Sequence, residues 1–386
     1  MPEIAGRRSA LGWALNLSAL ALVLLWTFPT AGLLVSSFRT ADQIAGSGWW
    51  RAMVPADRNL ILRAAPPAAQ REHEGLFVLE GNLFDEADAP RAAISAFGVS
   101  SRAIDAQRPG TTAELRNGER IEVAANGDYR HSSAQAMQGR RGQRVFVTAT
   151  IAPSFTLDNY RHVLLDPHNV EGMSRAFFNT LTVTIPATII PILVAAFAAY
   201  ALAWMAFPGR ALLVAAIVGL LVVPLQLALI PLLKLHNDLG IGKGYVGVWL
   251  AHTGFGLPLA IYLLRNYMVG LPREIIENAR VDGASELQIF VRIVLPLSFP
   301  ALASFAIFQF LWTWNDLLVA LVFLIDSSGE TTVMTKNLLE LLGTRGGNWE
   351  ILATSAFVSI ALPLLVFFSL QRYLVRGLLA GSVKGG

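Results

Sequence analysis

The sequence predicts an all-α polytopic membrane protein with six transmembrane helices and a small β-rich extracytoplasmic domain inserted between helices 1 and 2. Three observations predict it. Of 386 residues, 54% are hydrophobic and only 15% charged, and the mean hydropathy of +0.51 exceeds what a soluble domain needs. Six segments are apolar over the roughly 20 residues that a helix needs to cross about 30 Å of hydrocarbon. Between the first two of them, residues 39–175 change character and become rich in charge, Gly and Pro.

The first span, 11–35, comes after Arg7 and Arg8 and runs past Pro29 with no small-x-small cleavage site, so it reads as an uncleaved helix. Residues 1–38 are then a cytoplasmic N-terminus and first helix. In the insert, short runs of alternating apolar residues argue for strands, at 76–79, 113–123 and 145–151. Asn117-Gly118 sits between two such runs and suits a two-residue type I′ turn, which needs φ > 0 at both centres. A sandwich or partial barrel over about 74–151 is expected, joined to the first span by a linker holding Pro66-Pro67. Residues 176–386 are expected to form a five-helix core with spans at 177–207, 211–233, 245–268, 299–325 and 351–373.

Orientation comes from charge. With the insert set aside as too long to count, Arg7, Arg8, Arg210, Arg265, Arg273, Arg280, Arg292, Arg372, Arg376 and Lys384 share one face. Lys234, Lys243, Lys336 and Arg345 lie on the other. That bias puts both termini in the cytoplasm and the insert outside.

The most legible stretch, 271–296, lies between two spans on the positive face. Pro272 suits the first turn of a helix and Gly283 the left-handed residue after its end. Ser285 with Gln288 makes a capping box, opening a second helix that turns Leu287, Phe290, Val291 and Val294 to one side until Pro296 stops it. Ala279, Gly283 and Ala284 keep the bend small. Glu274, Glu277, Asp282 and Glu286 would be repelled by an anionic leaflet, so a protein cleft suits this knob better than lipid headgroups.

Several chemistries are excluded. There is no cysteine, hence no disulfide or thiolate metal site. The small net charge of +3 forms no stripe for nucleic acid. Residues 240–244 have glycines and a lysine but not the Walker A spacing, and His252 has no second ligand at metal spacing. No catalytic site and no metal site are expected. The polar residues inside spans are candidate pathway groups: Asp316 with Asn315, then Gln309, with Asn179 and Gln226 weaker. Trp312 and Trp314 read as interfacial anchors, and the outer loop 326–349, with Gly343, Gly346 and Gly347, as flexible enough to probe a docked partner.

The helix pair resembles the cytoplasmic signature of binding-protein-dependent ABC importer permeases: a Glu-Ala-Ala triplet, Gly, nine residues, Ile, one residue, Leu-Pro. Here Glu277-Asn278-Ala279, Asp282-Gly283, Ile293 and Leu295-Pro296 meet that spacing, with Asn278 where the family has Ala. The segments 155–160, Asn179-Thr180, 207–210, 314–316 and 377–386 are similar to the carbohydrate-importer branch that includes the maltose system's G subunit. The insert and its approach, from Trp26 through Gly48-Trp49-Trp50, look like the α-glucoside subgroup. The resemblance implies a bacterial inner-membrane permease paired with a second permease subunit, two ATPase subunits carrying ATP and Mg, and a periplasmic sugar-binding protein. It implies that Glu277, Asn278, Ala279, Asp282, Gly283, Ser285 and Pro296 couple to the ATPase, and that this chain binds no cofactor.

Overall fold

The structure is a computed structural model describing residues 10–87, 91–115, 117–165, 172–324, 328–344 and 348–379. It divides into two units, up to Leu157 and from Asp158 onward.

The first unit opens with α1 (Ala10–Ser37) and the short α2 (Ala41–Gly46). Eight strands come next: β1 (Ala56–Arg63), β2 (Arg71–His73), β3 (Leu76–Asn82), β4 (Ala93–Gly98), β5 (Thr112–Glu114), β6 (Arg120–Val123), β7 (Asp128–Ser133) and β8 (Arg144–Ile151), with one turn of helix, α3 (Leu83–Glu86), after β3. They form a three-stranded sheet in the order β1-β8-β4 and a five-stranded sheet in the order β2-β3-β7-β6-β5. Inward residues of both sheets, among them Leu62, Phe97 and Val147 from one and Leu79, Ile121 and Val123 from the other, close a single apolar core. The alternation of buried and exposed residues along β6, β7 and β8 is the period-2 pattern that their sequences carry.

Two expectations about this unit change. The domain begins at Ala56, not near residue 74: β1 pairs along its whole length with β8, from Ala56 opposite Ile151 to Arg63 opposite Arg144. Pro66-Pro67 is therefore inside the domain, with Pro67 buried. Its own sequence marks β1 weakly, because Leu60-Ile61-Leu62 run together instead of alternating and its partner strand lies far away along the chain. The 113–123 hairpin forms, but not on a two-residue turn: Leu115 N–H donates to Glu119 O (2.8 Å), Gly118 N–H donates to Leu115 O (3.0 Å), and Gly118 takes positive φ (82°) while Asn117 does not. The two-residue turn with positive φ at both centres joins β2 to β3, at Glu74 (55°) and Gly75 (77°).

The second unit is helical: α4 (Asp158–Leu165), α5 (Met173–Trp204), α6 (Arg210–Leu220), α7 (Leu225–Asp238), α8 (Tyr245–Val269), α9 (Arg273–Val281), α10 (Glu286–Ile289), α11 (Leu295–Leu297), α12 (Phe299–Trp314), α13 (Leu318–Phe323), α14 (Met334–Thr344) and α15 (Trp349–Leu379). With α1, the helices α5, α8 and α15 are long and apolar enough to cross a membrane, and the bent pairs bring the possible total to six. The expected span 211–233 is two helices, α6 and α7, bent by 109°. Pro224 explains the break: it disfavours helical geometry at Val223 and takes the cap position of α7. The expected span 299–325 likewise breaks at residues 315–317, and Ile325 lies outside the described residues.

The segment 326–349, expected to be a flexible outer loop, holds α14 instead. Met334 is buried, and its N–H donates to Thr180 Oγ1 (2.9 Å) on α5. Gly343 is helical, while Gly346 and Gly347 lie outside the described residues.

Candidate functional site

The helix pair is built as a closed bend. Helix α9 starts directly after Pro272 and ends at Val281, and Gly283 adopts the left-handed φ of 80°. Ala284 N–H donates to Ala279 O (3.0 Å) and Gly283 N–H to Arg280 O (3.1 Å), the paired bonds of a Schellman motif. Two residues on, Ser285 N–H donates to Gln288 Oε1 (2.9 Å) and Gln288 N–H to Ser285 Oγ (3.3 Å), completing the capping box. The bend thus satisfies the free carbonyls of one helix and the free amides of the next within a handful of residues.

Pro296 does not stop the second helix. Between α10 and α11 the residues Phe290–Val294 form a π turn, in which Leu295 N–H donates to Phe290 O, and the rod continues to Leu297 before turning by 71° into α12. Proline has no N–H for the carbonyl four residues back, and a widened turn just before it absorbs the mismatch. The π turn also rotates the side chains. Ile289, Phe290 and Val294 are buried, whereas Leu287 and Val291, expected on the same stripe, are exposed.

The inner face sits on the ends of α5 and α8. Ile276, Ile289, Phe290 and Val294 join one core with Ala196, Ala199, Tyr200, Leu264 and Met268, and the Phe290 ring lies 4.6 Å from Phe197 and 5.2 Å from Tyr200. A polar clasp locks this seating. Arg280 Nε donates to Glu286 Oε1 (2.9 Å), the Tyr200 hydroxyl donates to Glu286 Oε2, and Arg280 Nη2 donates to the carbonyl of Trp204 (3.2 Å). The Arg280 guanidinium, and after it the Tyr200 hydroxyl, hold the Glu286 carboxyl below its ordinary range. Sequence reasoning missed the clasp as a unit. Arg280 and Glu286 flank the bend visibly, but Tyr200 is 86 residues away.

The outer face is left open. Glu274, Glu277, Asn278, Asp282 and Gly283 are exposed beside Ile275, Leu287 and Val281, the last 87% exposed. Ala279 is half-buried against the core, Ser285 is spent on the cap, and Pro296 is exposed on the rod. Carboxylates interleaved with large exposed aliphatics suit a protein surface better than water alone.

The polar residues of the spans fall into two kinds. Gln309 is buried; its amide donates to Ala187 O on α5 (3.0 Å). The Asp316 carboxylate is nearly enclosed, accepts the N–H of Ala320 (3.2 Å) as a cap on α13, and lies 3.7 Å from His252 Nε2. Asn315 is exposed and its amide folds back to Leu311 O (2.8 Å). Asn179 is held by Glu330 O, Thr332 O and the Tyr245 hydroxyl. Trp314 is no interfacial anchor: it is 1% exposed and its indole N–H donates to Ser359 O (2.9 Å). Trp312 borders an apolar cavity of about 450 Å³ between the bent pair α6/α7 and α8, lined by Leu221, Leu225, Leu232, Phe255 and Pro258 among others. Among the described residues no group of three His, Asp or Glu is placed to hold a metal.

Residues 171–379 match the family described as binding-protein-dependent transport system inner membrane component. The chain is 63% identical over 385 residues to the alpha-glucoside transport system permease protein AglG of Rhizobium meliloti, covering 98% of this chain and 99% of the relative. It is 57% identical over 230 residues to the osmoprotective compounds uptake permease protein GgtD of Synechocystis, covering 60% of this chain and 76% of the relative. It is 33% identical over 240 residues to the trehalose transport system permease protein SugB of Mycobacterium tuberculosis, covering 61% and 84%.

Proposed function

The chain belongs to the family of binding-protein-dependent transport system inner membrane components, and on that premise we propose that it carries an α-glucoside such as maltose, sucrose or trehalose across the bacterial inner membrane. It is the multi-pass permease subunit of an ABC importer. The observation that carries the cargo is the identity with AglG, which extends over 98% of this chain and so takes in the β-rich insert as well as the helical core.

In this reading α6/α7 is one interrupted crossing, and α12 with α13 after it, beyond the 71° bend from the α10–α11 rod, is another, giving six with α1, α5, α8 and α15. The termini and the helix pair 271–296 face the cytoplasm, and the insert faces the periplasm. A second permease subunit completes the pathway, a periplasmic binding protein delivers the sugar, and ATP with Mg is bound and hydrolysed on a separate ATPase pair. The exposed face of the hairpin, through Glu277, Asn278, Asp282 and Gly283, enters a cleft of one ATPase; Ala279, Ser285 and Pro296 hold its shape. Because the inner face is locked onto α5 and α8 by the Arg280–Glu286–Tyr200 clasp, a displacement of the hairpin is passed to those two helices as a rigid push. Of the three polar candidates, Asn315 is kept for the pathway, since it is exposed whereas Gln309 and the Asp316 carboxylate are enclosed.

Uptake of labelled maltose, sucrose and trehalose in cells carrying the whole importer tests this, with Gly283→Pro as the comparison. Proline cannot take the φ of 80° at that position. ATP-dependent uptake that the variant abolishes, while it still reaches the membrane and keeps its partners, supports both cargo and coupling. Uptake of a compatible solute and of none of these sugars would favour a second reading, prompted by the 57% identity with GgtD.

A further inference from the structure

The chain that leaves α1 does not rise straight into the β domain. Arg39 is buried, and its guanidinium donates to the carbonyls of Gln43 and Ser47 and to Ser47 Oγ. Gln43 Nε2 in turn donates to the carbonyl (3.0 Å) and hydroxyl (2.6 Å) of Ser154, and Thr156 N–H donates to Phe38 O (2.8 Å). The end of α1 is thereby tied to the segments that enter and leave the domain.

From this lock the chain turns back along the helix. The Trp49 ring lies 4.5 Å from that of Phe28 and covers Gly32, where a Cβ would come within 2.6 Å of the indole nitrogen. Gly32 precedes Ser37 by five residues, so Trp49 returns about 7.5 Å below the helix end at 1.5 Å per residue. Beyond Trp49 the side chains are bare: Trp50, Met53 and Val54 are 66%, 73% and 58% exposed, Arg51 is exposed among them, and β1 begins at Ala56.

The chemistry and the depth identify what covers these side chains. Like Leu25, Trp26 and Phe28 of α1 they are bare apolar side chains, and Trp49, which directly precedes them, is seated on Gly32 within the last two turns of α1. A Trp beside exposed Met and Val side chains, with an exposed Arg among them, is the composition of a bilayer interface. Asp42 is the only acid from Arg39 to Val54, so nothing opposes anionic headgroups there except one side chain.

We infer that Trp50, Arg51, Met53 and Val54 form an in-plane anchor at the headgroup–acyl boundary of the leaflet facing the β domain. Trp49 is the peg that fixes its depth, and the Arg39 lock joins it to the strands. The domain is therefore seated on the membrane surface instead of hanging on a tether. This rests on α1 crossing the bilayer and is independent of the cargo.

The chain has no cysteine, so single labels need no altered background. Trp50→Cys, Met53→Cys and Val54→Cys, with Glu72→Cys on the exposed strand β2 as the aqueous reference, are spin-labelled in the full transporter in phosphatidylcholine–phosphatidylglycerol vesicles. Collisions with oxygen and with a water-soluble nickel chelate are then compared. The inference expects an oxygen-to-nickel ratio several-fold higher at positions 50, 53 and 54 than at 72. A ratio equal to that at 72 would place the segment in water, and shielding from both reagents would place it under protein; either overturns the anchor. Sugar uptake is not read in this experiment, so a wrong cargo leaves its result untouched.

Discussion

The side-chain amide of Gln309 donates to the backbone carbonyl of Ala187, and Ala187 lies four residues before Pro191 in α5. Proline has no N–H, so the carbonyl four positions back loses its helical partner, and in hydrocarbon no water replaces it. The same arrangement recurs twice. Trp249 Nε1 donates to Thr182 O (2.9 Å), the carbonyl that Pro186 leaves free, and Trp314 Nε1 donates to Ser359 O, the one that Pro363 leaves free. Three interior prolines are thus each matched by a donor from another helix, which converts a defect within a helix into a contact between helices.

Gln309→Leu is expected to destabilise the chain by ~1–3 kcal/mol, the cost of an unsatisfied buried carbonyl. In a Pro191→Ala background residue 191 regains its N–H and takes Ala187 O itself, so the same substitution should cost measurably less. Denaturation in detergent of the four variants checks this, and equal costs in both backgrounds would break the assignment.

Trp314→Phe keeps an aromatic ring but removes the donor to Ser359 O. A loss of about 1–3 kcal/mol is expected from the orphaned carbonyl. Pro363→Ala should recover part of it, whereas a pure packing loss would not respond; thermal unfolding of the single and double variants separates the two.

At Gly283 a Cβ meets nothing of this chain within 4 Å, so within the chain a substitution there is felt through backbone conformation. Gly283→Ala should cost ~1–2 kcal/mol for the left-handed geometry. Gly283→Asn should retain more transport than Gly283→Val, because Asn visits that region and a β-branched residue does not. Uptake rates at matched membrane levels give the order, and an order set by side-chain size would contradict it.

The clasp on Glu286 carries a pH dependence with a defined sign. Its folded-state carboxyl lies below the ordinary value of 4.5, so it stabilises the hairpin at pH above that value and the contribution is lost as pH falls through the lowered one. Hydrogen exchange of α9 and α10, corrected for intrinsic rates, should show protection that falls in acid in the native chain. In Glu286→Gln it should be lower at neutral pH and nearly flat.

Much of this was readable in the sequence because its causes are local. Gly283, Ser285 and Gln288 specify the bend through their own backbone preferences and short-range bonds, and the structure places each of them in the geometry expected. The length and hydropathy of α1, α5, α8 and α15, and the alternation along β6 and β8, are equally local. The sequence therefore determined by itself that the chain enters a membrane, carries a β-rich insert and presents a bent helix pair. Tertiary structure alone decided the rest: that β1 pairs with β8, that Gln309 and Trp314 serve proline-freed carbonyls, and that Tyr200 completes the clasp. Each of these joins residues far apart along the chain, and such a bond is fixed by where packed helices and paired strands bring a free donor or acceptor, which no single segment encodes.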